Sequence, residues 1–315
     1  MALLTAFFRL IRWPNLVFIS LTQTLFYYIV LKPGFGLPGA PDNLLQPVPF
    51  YCLTLSSALI AAAGYIINDY FDLNIDRVNK PEKLVVEKLI KRRSAILWHW
   101  FLSGAGVILG FYVSWKVRNP IVGLANLACV ILLWFYSTTF KRKLLIGNVV
   151  ISLLTAWVIL VLYVCEFRLG SLSDPGYRSI LGRIFKYAIV YGGFAFIISL
   201  IREVVKDIED MDGDARYGCR TMPIVWGVNV AKVFTATWLV VLISALVVIQ
   251  FYFLPRAPAR WIMISYGILI IDLPLLWILR KLYSAQSKTD YHQLSGVIKA
   301  VMLAGILSIA LLVLP

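Results

Sequence analysis

The chain has 315 residues, 60% of them hydrophobic and only 15% charged. A soluble domain is nearer half apolar and a quarter charged, so this composition excludes disorder, a coiled coil, a secreted disulfide scaffold and an ordinary soluble enzyme. The net charge is +14, from 30 Lys+Arg against 16 Asp+Glu. In a chain with long apolar runs that excess belongs to loops on one side of a membrane, and no soluble basic face is left for nucleic acid.

The opening, MALLTAFFRLIRWPN, lacks a small-residue cleavage site, and a long apolar stretch follows it. It reads as an uncleaved first span, not a signal peptide. A bilayer-crossing helix needs about 20 mostly apolar residues. Nine stretches approach that length, at 14–31, 49–68, 95–115, 120–139, 145–165, 181–201, 230–254, 261–280 and 294–314. They predict an all-α integral membrane protein, a nine-helix transmembrane bundle in one domain over 1–315. Cys52, Cys129, Cys165 and Cys219 form no CxxC pair, which argues against a thiolate metal site or a redox motif.

The N-terminus and the loops after the even-numbered spans carry about 20 Lys and Arg, the other loops about nine, which places the first set in the cytoplasm of a cell-membrane protein. Acid is distributed more unevenly. Of the 16 Asp and Glu, eleven lie in two cytoplasmic loops, after the second and sixth spans. Four spans separate these loops, so both emerge on one membrane face, where they can converge.

Residues 68–81 read NDYFDLNIDRVNKP. If the second span continues as helix, Asn68, Asp72 and Asp76 fall at i, i+4 and i+8 on one face, with Asp69 beside them. Free carboxylates stacked in this way repel. A hard divalent cation removes the conflict, and Mg²⁺ takes oxygen ligands while keeping water or phosphate oxygens in its shell. A solvated helix end explains one such Asp better than it explains four polar side chains beside an apolar span, where acid is costly.

Residues 201–223 read IREVVKDIEDMDGDARYGCRTMP. Glu203, Asp207, Asp210 and Asp214 fall at i, i+4, i+7 and i+11, a second stripe on one continuous helix. Glu209 and Asp212 point elsewhere and read as solvated. Gly213 and Gly218 loosen or end the helix. Arg202 and Lys206 share a face with Asp210, and Arg220 follows in the loop. Two carboxylate stripes with Lys80, Lys83, Lys141, Arg142, Lys206 and Arg220 nearby suit a diphosphate bridged by Mg²⁺, which acts as a Lewis acid on a leaving group. For any single one of these cations, a plain loop charge explains it equally well.

The pattern NDxxDxxxD at 68–76, followed about 140 residues later by the aspartate-rich 207–214, resembles the UbiA-type intramembrane prenyltransferases. The resemblance implies a helical bundle whose central cavity opens to a cytoplasmic active site. It also implies Mg²⁺-dependent transfer of a prenyl group from an isoprenyl diphosphate to a lipophilic acceptor. It carries the family's metal-binding positions to Asn68 and Asp72 and to Asp210 and Asp214, with Asp207 beside them. A Tyr and a Lys of the family fall on Tyr136 and Lys141, and a polar position near the cavity on Asn15. Many members follow the first motif with an Arg-Pro-rich stretch. Here it is Asn79-Lys80-Pro81-Glu82-Lys83, which hands the diphosphate contact to Lys80.

The string Arg-Glu-x-x-Lys-Asp-x-Glu-Asp at 202–210 is most similar to the branch of digeranylgeranylglyceryl phosphate synthases. That implies geranylgeranyl diphosphate as donor and geranylgeranylglyceryl phosphate as acceptor. A phosphorylated acceptor needs cations away from the metals, and Arg202 and Lys206 are the candidates. An aromatic prenyltransferase of quinone biosynthesis shares the metal chemistry and differs in its acceptor pocket. Asp69 or Asp76 can take the last proton. Phe26, Tyr27, Trp134 and Tyr136 offer ring faces to an allylic cation. His99 and His292 read as structural. A transporter would carry its acids near mid-membrane on broken helices, not at one face.

Overall fold

The computed structural model describes residues 2–36, 42, 44–253 and 260–314. Among them, nine helices are long and apolar enough to cross a membrane: Trp13–Phe35, Pro47–Asn79, Arg92–Val117, Pro120–Thr138, Ile146–Glu166, Pro175–Glu209, Val228–Tyr252, Arg260–Ser284 and Lys288–Val313. They are numbered below as spans one to nine. A short helix, Ala2–Leu10, precedes the first. No strand occurs among the described residues, only an isolated bridge between Val86 and Ile90. This is a multi-pass, all-α membrane protein.

The spans fall where the apolar stretches place them, with two notable extensions. The second helix runs on to Asn79 and the sixth to Glu209. Thirty-three residues at 1.5 Å each make the second helix about 50 Å long, against about 30 Å of hydrocarbon. The surplus is polar helix, with its backbone hydrogen bonds closed internally, and it carries the first acidic motif.

The residues group into two compact units. One holds Met1–Phe140 and Trp157–Gly192, the other Lys141–Ala156 and Gly193–Pro315. In the first, Ala6, Leu10 and Ile11 pack with Ala62, Ala63 and Ile66 of the second span. Val85, Val86 and Ile90 of the following loop join the same cluster, which ties that loop to the helix of the first motif. Polar contacts stitch the helices: Ser56 Oγ donates to Gly106 O at 2.6 Å, and Gln23 Nε2 to Val158 O at 3.0 Å. Such bonds join helices where lipid offers no hydrophobic drive between them.

In the second unit, aliphatic faces of the sixth, seventh, eighth and ninth spans form one core, from Ile201 and Val205 through Leu239 and Leu275 to Leu294 and Ile298. Gly305 brings the ninth span against the sixth, since a Cβ there would overlap the Phe194 ring. Gly305→Ala therefore lowers stability by about 1–3 kcal/mol. Melting in detergent reads this, and an unchanged midpoint would show that the ring moves aside without cost.

Candidate active site

The first motif lies on one uninterrupted helix, so the stripe expected at Asn68, Asp72 and Asp76 is present. All three are half-buried, while Asn74 and Arg77 on the other side are exposed. Asn68 Nδ2 donates to Asp72 Oδ2 at 2.7 Å. That bond uses the amide's donor side and leaves Asn68 Oδ1 buried with no hydrogen-bond partner. An unmet buried acceptor costs about 1–3 kcal/mol, and a cation beside it would relieve the cost. Asp69 is engaged differently: its Oδ1 meets Arg12 Nη2 at 2.7 Å. The guanidinium lies 5.1 Å from the Tyr65 ring centre. Asp69 is the main cause that raises the Arg12 pKa above its ordinary value.

Arg12 was not singled out in the sequence. It sits in the left-handed region, φ 50°, at the joint between the short N-terminal helix and the first span. Asn15, half-buried, donates its backbone N–H to Arg12 O at 2.8 Å. Lys80 ends the second helix, its N–H bonded to Asp76 O at 2.8 Å. The Lys83 side chain lies outside the described residues.

The second motif departs from the expected continuous helix. The sixth span ends at Glu209, Asp210 takes φ −98° and ψ 5°, and a short helix, Met211–Arg216, follows. Asp and Gly are poor helix formers, and Asp210 occupies the N-cap position. The break is tight, because Asp210 N bonds Lys206 O at 2.9 Å and Asp214 N bonds Asp210 O at 3.2 Å. Gly218, at φ 72°, ends the segment. So Glu203 and Asp207 belong to the long helix, and Asp210 and Asp214 to the turn beyond it.

Contacts within this unit reassign several side chains. Asp207 Oδ2 accepts from Asn148 Nδ2 at 2.8 Å. Arg202 Nη1 and Lys206 Nζ meet Glu203 Oε1 at 3.3 and 3.6 Å. Glu209, expected to be solvated, is buried and pairs with His292 Nδ1 at 2.8 Å, whereas Asp212 is exposed as expected. The reason is tertiary: the ninth span brings an imidazole to the helix end, which local spacing does not reveal. His99 is buried, with Nδ1 at 3.0 Å from Ala63 O.

The remaining candidates lie as follows. Lys141 and Arg142 form a 3-10 turn, Phe140–Arg142, after the fourth span. Arg142 O accepts from Arg220 N at 2.8 Å, which joins two loops of the second unit, and both arginine side chains are exposed. Tyr136 is half-buried near the end of the fourth span. Trp134 contacts Phe71 and His99, with ring centres 5.9 and 5.4 Å away. Phe26 and Tyr27 are fully buried, and Tyr27 stacks on Phe50 at 3.9 Å, so both serve as packing.

Among the described residues no three His, Cys, Asp or Glu side chains gather around one metal-sized position. The motifs offer amide and carboxylate oxygens along a helix or turn, not a closed cage. Such a donor set fits a hard cation that completes its shell with water or phosphate oxygens.

Residues 34–310 match the UbiA prenyltransferase family. The digeranylgeranylglyceryl phosphate synthase of Methanosphaera stadtmanae is 30% identical over 259 residues, covering 80% of this chain and 84% of its own. That of Methanosarcina mazei is 31% identical over 279 residues and 86% of each chain. Among solved structures, a digeranylgeranylglyceryl phosphate synthase studied in membranes superposes with a TM-score of 0.64 at 21% identity, over 98% of this chain and 99% of that one. A UbiA homologue from Archaeoglobus fulgidus, bound to DMAPP and Mg²⁺, superposes with a TM-score of 0.56 at 15% identity, over 96% and 99%. A match over most of the length, relatives at about 30% identity and a shared fold lead to one conclusion: this chain belongs to the UbiA prenyltransferase family.

Proposed function

We propose that the protein transfers a geranylgeranyl group from geranylgeranyl diphosphate to geranylgeranylglyceryl phosphate, forming an ether lipid precursor and releasing diphosphate. The observation that carries the reading is the Asn68–Asp72 pair, whose buried amide oxygen lacks a partner on a helix extended past its apolar stretch. The names of the relatives supply the acceptor. The excess of Lys and Arg in the loops after even-numbered spans supports a cell-membrane protein with both acidic motifs on the cytoplasmic side.

Asn68 and Asp72 of the first motif, and Asp210 and Asp214 of the second, are the residues that would hold Mg²⁺ for the donor diphosphate, with Asp207 beside the second set. Mg²⁺, when bound, supplies Lewis-acid stabilisation of the departing diphosphate. Lys80, Lys83, Lys141, Arg142 and Arg220 neutralise the rest of its charge. Tyr136 and Asn15 orient the donor, and its isoprenoid tail lies against apolar side chains of the spans. The donor C1–O bond breaks and its electron pair leaves with the diphosphate. The acceptor hydroxyl oxygen bonds to C1, and its proton passes to a carboxylate. Asp76 suits that step better than Asp69, whose oxygen is taken by Arg12.

Arg202 and Lys206 bind the acceptor phosphate, leaving Glu203 when it arrives. Changing both to Met raises the acceptor KM about tenfold or more, the worth of one charge-assisted hydrogen bond, and leaves the donor KM unchanged. Equal rises for both substrates would remove this role. The decisive assay offers the detergent-solubilised protein Mg²⁺, geranylgeranyl diphosphate, geranylgeranylglyceryl phosphate and 4-hydroxybenzoate together. Product with the glyceryl phosphate is expected. Product with the aromatic acid alone would overturn the acceptor and keep the chemistry. No product across several donor lengths would overturn the reading.

A further inference from the structure

Helix ends fray unless something holds them. In the second motif the long helix stops at Glu209, one residue before Asp210. Two side chains from other spans grip this end. Asn148, in the first turn of the fifth span, donates to Asp207 Oδ2 at 2.8 Å. His292, near the start of the ninth span, sets its Nδ1 2.8 Å from Glu209 Oε1. The two contacts lie three residues and one residue before Asp210, which is bonded through its own N–H to Lys206 O.

The contact with His292 is uneven in a telling way. The imidazole is 63% exposed, while Glu209 is 5% exposed. The ring therefore contributes little packing. Its work is to meet a buried carboxylate, which is costly to leave without a partner. Freed from His292, Glu209 would turn toward water, and the neighbouring turn that carries Asp210 would turn with it.

We propose that His292 and Asn148 are positioning residues that clamp the end of the sixth helix and fix the Asp210 carboxylate for cation binding. The inference rests on the metal–diphosphate role given above to Asp210. Neither residue touches substrate or cation. They act through Glu209 and Asp207, as outer hydrogen bonds orient the ligands of a metal site.

His292→Leu removes the contact, and His292→Asn keeps an N–H close to the position of Nδ1. Without Mg²⁺, backbone amide exchange across residues 206–216 should quicken in the Leu variant and stay at the wild-type rate in the Asn variant. The Mg²⁺ concentration for half-maximal prenyl transfer should rise about tenfold in the Leu variant, with the acceptor KM unchanged. Asn148→Leu should act in the same direction. A Leu variant with wild-type exchange and Mg²⁺ requirement overturns the clamp, as does an Asn variant equally impaired. A wild-type protein without Mg²⁺-dependent transfer overturns the functional reading instead, and the metal-free exchange still reports on the clamp.

Discussion

Asp72→Ala lowers the rate of prenyl transfer about a thousandfold while the protein stays folded. Cation assistance to a leaving group is worth several kcal/mol, and each 1.36 kcal/mol is about tenfold in rate. A loss of about 4 kcal/mol gives the expected factor. The fold tolerates the change because Asp72 is half-buried on the polar extension of the second helix. Asp72→Asn separates charge from shape. It keeps an oxygen for the Asn68 amide and discards the negative charge, so it should be nearly as inactive as the Ala variant. Asp212→Ala provides the control, since Asp212 is exposed and carries no proposed role. A rate for Asp72→Ala within tenfold of wild type would remove Asp72 from the cation site.

The two motifs differ in how far the sequence reveals them, and the difference has a physical cause. Asn68, Asp72 and Asp76 share a face because one helix carries them, and a 3.6-residue period is written in the chain itself. The second stripe has the same period on paper but breaks at Asp210, where a cap competes with helix propagation. Partner choice was not legible at all. Arg12 and Asp69 are 57 residues apart, and Glu209 and His292 are 83 apart. Periodicity says which face a residue takes, not which distant side chain meets it. Glu209 shows the consequence: by spacing it falls off the stripe and reads as solvated, yet burial and an imidazole claim it.

Glu166→Ala costs the fold about 3–4 kcal/mol and leaves the chemistry of the surviving folded protein intact. Glu166 closes the fifth span with no exposed surface. Its two oxygens accept the backbone N–H groups of Leu44 and Leu45, each at 2.9 Å. Leu45 is also held at its carbonyl, by Tyr27 OH at 2.9 Å. Tyr177 OH donates to the Glu166 carbonyl and accepts from Arg168 N at 2.9 Å. The carboxylate thus ties the entry of the second span to the end of the fifth inside the first unit. Truncation leaves the buried Leu45 amide without its acceptor, at a cost of about 1–3 kcal/mol, the half-buried Leu44 amide at a smaller cost, and a void where the side chain was. Glu166→Gln retains one carbonyl oxygen but turns an NH₂ toward the other amide, so it should fall between Ala and wild type. Melting in detergent reads the order, wild type above Gln above Ala. The rate per folded molecule at low temperature should be the same for all three, because Glu166 belongs to neither acidic motif. An Ala variant that melts with the wild type would mean that water replaces the carboxylate at Leu44 and Leu45, and that this tie contributes nothing to the first unit.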